Sequence, residues 1–153
     1  MTVHATIRPA ESADLPGILA IFAADDVGGH AEYRGLADMA VYEQVFDRIA
    51  ASSDNALFVA LVDRKIVGTF QLTFIPGLVN HGLLRAKLES VHVLAENRSQ
   101  GIGEQMVRHA LDEARRRGAG MMELSSNKKR LAAHRFYERL GFARSHEAFK
   151  LML

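Results

Sequence analysis

With 153 residues, 48% of them hydrophobic, the chain has material for one domain with an ordinary core, and residues 1–153 are expected to form that single domain. A formal charge of +1, with 24% charged residues, builds no field that would draw nucleic acid or an anionic membrane. The absence of cysteine excludes disulfides, cysteine-based zinc sites and a thiol nucleophile.

In chain order, apolar patterning predicts a strand over 3–8 and a helix over 13–24. A loop with Gly28 and Gly29 leads to a second helix over 36–51. Strands over 57–62 and 66–74 flank Asp63-Arg64-Lys65 and read as an antiparallel hairpin. A loop containing Pro76, Gly77 and Gly82 precedes a strand over 84–93. A helix over 101–117, a strand over 120–125 and a helix over 130–140 follow, and a last strand is predicted over 147–152. Strands before helices, then alternation, predict an α/β class, an α+β mixed sheet covered by helices on both faces. No apolar run approaches the roughly 20 residues of a membrane span, and the N-terminus lacks a signal-peptide core, so a cytoplasmic protein without membrane contact is expected.

Where the strand over 84–93 runs into its helix, the chain reads Arg98-Ser99-Gln100-Gly101-Ile102-Gly103-Glu104. Ile102, Met106, Val107, Ala110, Leu111 and Ala114 recur at helical spacing, which puts Gly101 and Gly103 in the first turn. Amides there lack intrahelical partners, the macrodipole adds positive charge, and two missing Cβ atoms let an anion approach closely. Arg98 adds a full charge at the rim. Glu104 after Gly103 excludes a Walker loop, and Met106 stands where a dinucleotide fingerprint needs its third glycine. Many strand-to-helix turns carry glycine for backbone reasons alone, so this motif by itself does not decide the chemistry.

A second motif, Ala133-His134-Arg135-Phe136-Tyr137-Glu138-Arg139-Leu140-Gly141-Phe142, is a helix with Ala133, Phe136, Tyr137 and Leu140 on one face and Gly141 as its left-handed terminator. The two motifs in this order resemble those of the GNAT superfamily of acyl-CoA-dependent N-acetyltransferases. The likeness extends over nearly the whole chain: Ile7-Arg8-Pro9-Ala10 with Asp14-Leu15 is similar to that family's first strand and helix, and Ile66-Val67-Gly68 to its third strand.

The resemblance implies a GNAT-like central mixed β-sheet flanked by helices on both faces, with acetyl-CoA as co-substrate and no metal. It assigns the CoA diphosphate to Arg98, Ser99, Gln100, Gly101, Ile102, Gly103 and Glu104. It places the acyl arm against Val91, His92 and Val93 of the central strand, whose splayed backbone leaves the Val93 amide free to polarise the acetyl carbonyl. Tyr137 falls near the CoA sulfur. One position departs from the pattern: Arg130 stands seven residues before Tyr137, where many members carry asparagine, and Asn127 is the candidate to take over that contact. Replacing Gly101 with a bulky residue is expected to weaken cofactor binding while sparing the fold. Arg98, Lys128, Lys129, Arg130 and Arg135 ring the implied cleft, which suits a polyanion, although each alone also fits a solvated helix face.

Acetylating an amine of pKa near 10.4 requires removing a proton, since only about one part in a thousand is neutral at pH 7. Glu89 is the candidate base: a carboxylate interrupting the apolar strand 88–93 needs a cleft or a partner, and the competing reading pairs it with Arg85 or Lys87. Strict alternation turns His92 to the opposite face from Glu89, as a core histidine, and His81 in the preceding loop could also reach an acceptor. Tyr137, protonated at neutral pH, is the candidate acid for the departing thiolate, with Phe136 as its core neighbour. The seven histidines show no metal-binding spacing.

Direct acetyl transfer to a primary amine of a small molecule, in a ternary complex, is the leading reading. A peptide or protein amine is the alternative acceptor, and a non-catalytic acyl-CoA-binding module, which needs neither Glu89 nor Tyr137, is the alternative class. Segments 25–32 and 75–82 would flank the acceptor: Asp25, Asp26 and Glu32 suit a cation, whereas Arg34 and Arg85 suit a carboxylate or phosphonate. The apolar alternation Phe149, Leu151, Leu153 predicts a strand at or near a sheet edge, whose apolar face is covered either by a homodimer or by the domain's own helix.

Overall fold

The computed structural model describes residues 2–25 and 38–153. One five-stranded sheet has the order β1 (Thr6–Pro9), β2 (Asn55–Val62), β3 (Lys65–Ile75), β4 (Arg85–Val93), β5 (Met121–Leu124). The first four strands pair antiparallel and β5 pairs parallel to β4. A parallel neighbour requires a long crossover, and helix α4 (Ile102–Arg116) supplies it. The β2–β3 hairpin turns at Asp63 and Arg64, both at positive φ, which matches the right-handed twist of a two-residue turn.

Helices α1 (Leu15–Ala23) and α2 (Met39–Ala51) cover one face, where Leu15, Leu19 and Phe46 pack with Leu57. On the other face Ile102, Met106, Val107, Ala110 and Ala114 of α4 meet Phe58, Phe70, Leu72, Phe74, Ala86 and Leu88. The Phe58 and Phe70 rings stack there with centroids 4.9 Å apart. Helix α5 (Leu131–Arg139) joins this second cluster through Phe136, Tyr137 and Leu140. The mixed sheet with helices on both faces is therefore the architecture predicted above. Among the described residues no helix is long and apolar enough to cross a membrane.

The entry into α1 is fixed by charge. Arg8 donates to both carboxylate oxygens of Asp14, at 2.6 and 3.0 Å, and the Glu11 amide donates to Asp14 at 2.7 Å. The Arg8 guanidinium outweighs the cost of burying Asp14 and holds its carboxyl below the usual carboxylate range.

Two irregularities in β4 shape the site. Thr69 pairs with His92 while Gln71 pairs with Glu89, so Phe70 faces both Ser90 and Val91: a β-bulge, with Ser90 in a left-handed conformation at φ 51°. The extra residue inverts the alternation beyond it. Leu88, Val91 and Val93 all join the α4-side core, and His92 turns to the α1 side, the face that carries Glu89. The opposite-face placement of His92 expected from simple alternation is thereby corrected. Secondly, β4 and β5 pair only from Arg85–Met121 to Leu88–Leu124. Beyond Leu88 the strands part, and the backbone of residues 89–93 has no β5 partner.

The predicted strand over 147–152 does not form within the chain. Residues 143–153 are exposed, without regular secondary structure and outside any ladder. The loop after β3 contains α3 (Val79–Gly82), a short turn with Asn80 and His81 both left-handed. The loop with Gly28 and Gly29 and the start of the helix predicted from 36 lie outside the described residues, as do Asp26, Glu32 and Arg34.

Candidate active site

The site begins where β4 ends. Arg98 donates from Nε to the Val93 carbonyl at 3.1 Å, folding the following turn back onto the strand. Ser99 (φ 61°) and Gly101 (φ 81°) are left-handed, and Gly101 is the N-cap of α4, with no side chain capping the first-turn amides. Those amides remain available for an anion. The Ile102 side chain lies in the core, so this residue can contribute only its main chain. Gln100 spends its side-chain amide on the Glu96 carbonyl, and its own carbonyl accepts from Val3. The Glu104 carboxylate is held by Arg108 at 2.7 Å, which leaves its amide for a ligand and removes much of its repulsion for a phosphate.

The two glycines differ. A Cβ at Gly101 would stand 2.9 Å from Thr2 Cγ2, in a conformation that side chains rarely adopt, so a bulky residue there would strain the turn. This corrects the expectation that Gly101 can be replaced without cost to the fold. At Gly103 an added Cβ would lie 3.5 Å from Phe136 Cζ and 4.0 Å from Val93 Cγ2. Gly103 is thus the point where the start of α4, the end of β4 and the face of α5 converge.

Gln105, which the sequence pattern did not single out, anchors this cradle. It donates to the Val3 carbonyl at 2.6 Å and accepts from the Ala5 amide at 3.0 Å. A lone glutamine on an otherwise amphipathic helix carries no periodic signal, and its partners are about 100 residues away.

Across the splay, Tyr137 lies between Phe136 and Phe142, with ring centroids at 5.0 and 5.8 Å. Burial pushes its hydroxyl up to about 12, opposed by the nearby Arg130 charge. Phe136 and Tyr137 are both half-buried, so burial does not separate a core member from a cleft member. Arg130 precedes the first turn of α5 and donates to Asp25 Oδ2 at 2.6 Å. The same oxygen is 3.0 Å from His92 Nε2, while His92 Nδ1 is 3.0 Å from the Ser90 carbonyl. A polar chain therefore runs from α5 through the end of α1 to the β4 bulge.

Asn127 accepts from the Lys129 amide through its side chain, and its carbonyl accepts from the Arg130 amide and from His134 Nε2. Its side chain shapes the β5–α5 turn. With Nε2 donating, His134 Nδ1 is left as a buried acceptor without a partner among the described residues. Glu89 is half-exposed before the bulge, 3.3 Å from Lys87 Nζ, and accepts from the Thr73 hydroxyl at 3.2 Å. Arg85 instead pairs with Glu123 at 3.2 Å. His81 is exposed in the left-handed turn of α3.

A bulged, splayed central strand running into a glycine cradle agrees with the family comparison, in which residues 20–142 match the acetyltransferase (GNAT) family model. The chain belongs to the GNAT acetyltransferase family. It is 39% identical over 90 residues to the aminoalkylphosphonate N-acetyltransferase of Salmonella typhimurium, a match covering 59% of this chain and 58% of that protein. The match therefore spans little more than half of the relative's length. A crystal structure described as a transcriptional regulator from Bacillus halodurans superposes with a TM-score of 0.93 at 38% identity, covering 98% of this chain and 100% of the other. A putative acetyltransferase from Agrobacterium tumefaciens does so at 0.83 with 28% identity, covering 97% and 99%.

Proposed function

We propose that this GNAT protein moves acetyl from acetyl-CoA to a primary amine of a small molecule within a ternary complex. The observation that carries the reading is the convergence at Gly103, which puts uncapped helix amides beside the unpaired end of β4 and the aromatic face of α5. The residues fit the co-substrate at Gly103, where the missing Cβ leaves the first turn of α4 open beside Phe136 and Val93. When bound, acetyl-CoA supplies an activated acyl thioester.

The chain's own groups divide the remaining work. Amides of 102–104 with the Arg98 charge hold the diphosphate, and main-chain N–H groups of Val91 and Val93 donate to the acyl oxygen. Val91 and Val93 keep their side chains in the core, so packing and chemistry use different atoms of the same residues. Glu89 accepts the amine proton directly or through water, with Thr73 and Lys87 orienting its carboxylate. Tyr137 retains its proton at every working pH. With an ordinary thiol near 8.5, complete transfer from so weak an acid is uphill, and its main contribution is a hydrogen bond to developing thiolate charge.

A small-molecule acceptor is supported by the likeness to the aminoalkylphosphonate enzyme. The experiment is thiol release from acetyl-CoA across aminoalkylphosphonates, amino acids, polyamines and lysine peptides. Turnover confined to the small amines is the expected result. Turnover confined to peptides, or with no amine, overturns the acceptor class.

A further inference from the structure

The face of β4 that leads up to Glu89 carries two cations. Before the bulge the strand alternates strictly, with Ala86 and Leu88 in the core and Arg85, Lys87 and Glu89 on the opposite face. In register, Lys87 lies between Thr73 of β3 and Glu123 of β5. Arg85 reaches Glu123 at 3.2 Å and closes one ion pair, so among the described residues Lys87 is left with Glu89, at 3.3 Å, as its only counterion.

A lysine beside the candidate base conflicts with a simple amine. At neutral pH an acceptor arrives as an ammonium, and its charge must settle against Glu89, within a few ångströms of the Lys87 ammonium. If Lys87 stays in place, like charges stand side by side; if it is displaced, it loses its counterion. An acceptor that carries its own anion removes the conflict. Its ammonium takes Glu89, its anion takes Lys87, and one ion pair becomes two. Side chains 35 and 38% exposed are within reach of such a molecule. Their backbone positions stand roughly 7 Å apart along the strand, which matches an amine and an anion separated by a few bonds. Two carboxylates that would favour a dication are already engaged: Asp25 is buried and shared by Arg130 and His92, and Glu123 is held by Arg85.

We infer that Lys87 determines acceptor specificity, selecting small amines that bear a carboxylate or phosphonate a few bonds from the nitrogen. A lysine is a compact point charge, so it takes either anion. The inference rests on the acetyl-transfer reading above, with Glu89 at the amine, and adds which amine that is.

The experiment compares kcat/KM for β-alanine and aminoethylphosphonate with that for propylamine and ethylenediamine, which place a methyl or an ammonium where the first two place an anion. Wild type should favour the two zwitterions by at least about tenfold, chiefly through KM. Lys87→Met, or Lys87→Gln if the first is inert, should bring the ratio close to one, Lys87→Arg should keep it, and Lys87→Glu should turn it toward ethylenediamine. Poorer orientation of Glu89 would slow every acceptor alike and leave the ratio as it was. A wild type without the preference, or a preference that survives loss of the Lys87 charge, overturns the assignment and leaves acetyl transfer standing. Turnover of none of the four overturns it as well, and the wider amine screen then decides separately whether acetyl transfer itself holds.

Discussion

His92 and Asp25, 67 residues apart, meet at 3.0 Å beneath the β4 bulge, and both nitrogens of the histidine ring face acceptors. The ring bridges the Ser90 carbonyl and the Asp25 carboxylate through its two nitrogens. The pair therefore clamps the Ser90 carbonyl, and with it the left-handed residue that turns the β4 amides into the splay. Asp25 is in turn shared with Arg130, so the clamp reaches α5.

His92→Phe keeps a ring against Phe22, whose centroid lies 5.1 Å from that of His92, but removes the ring nitrogens that face the Ser90 carbonyl and Asp25, leaving Asp25 to Arg130. Stability should fall by about 2 kcal/mol, the cost of stranding buried acceptors. If the clamp positions the amides, kcat should fall at least about tenfold, a loss of some 1.4 kcal/mol of transition-state binding, while KM for acetyl-CoA moves little. An unchanged kcat in a folded variant would make the clamp purely structural.

Tyr137→Phe should retain acetyl-CoA affinity and lose about 100-fold in kcat, the scale of removing one hydrogen bond to charge that develops in the transition state. Because burial holds the hydroxyl at about 12, wild-type rates should show no alkaline loss from this group up to pH 10. A variant of full activity would reduce Tyr137 to packing.

Glu89→Gln should lower the rate most at low pH and recover toward wild type as the pH approaches that of the amine, about 10.4, where the acceptor is already neutral. Measured pH profiles that run parallel would assign Glu89 to its bonds with Lys87 and Thr73 alone.

The Arg8–Asp14 pair predicts acid sensitivity. Asp14 is held below its ordinary pKa in the folded state, so its contribution is full above the unfolded value, about 3.9, and is lost as the pH falls through the folded one. Asp14→Asn should lower Tm at pH 7 by the equivalent of about 2 kcal/mol, and the gap to wild type should narrow as the pH falls below the unfolded value and through the lowered folded one. A gap independent of pH would mean that packing, not the charge pair, accounts for the loss.

The strand and helix order, the glycine cradle and the Tyr137 helix were legible because each rests on local periodicity or on a contiguous motif. What the sequence concealed was non-local. Simple alternation put His92 opposite Glu89, and one bulged residue, Ser90, reversed it; nothing in Ser90 itself announces a bulge, since serine has no strong preference for that conformation. Gly101 and Gly103 look alike in the motif, yet Thr2, almost 100 residues away in the chain, separates their roles. Arg130 departs from the family pattern at a position where the structure gives it a carboxylate partner, Asp25, that the sequence could not connect to it. The segment 147–152 has the alternation of a strand yet joins no ladder in its own chain, because alternation alone does not supply a pairing partner.

The central claim is that the first turn of α4 at Gly103 receives acetyl-CoA, and isothermal titration of acetyl-CoA into wild type and Gly103→Ala tests it most directly. The added Cβ meets Phe136 at an ordinary contact distance, and alanine favours a helix over glycine by up to about 1 kcal/mol, so the variant should fold at least as well as wild type. The account predicts an affinity at least about tenfold weaker, some 1.4 kcal/mol, in a protein whose Tm is equal or higher. Equal affinity in the folded variant would contradict it.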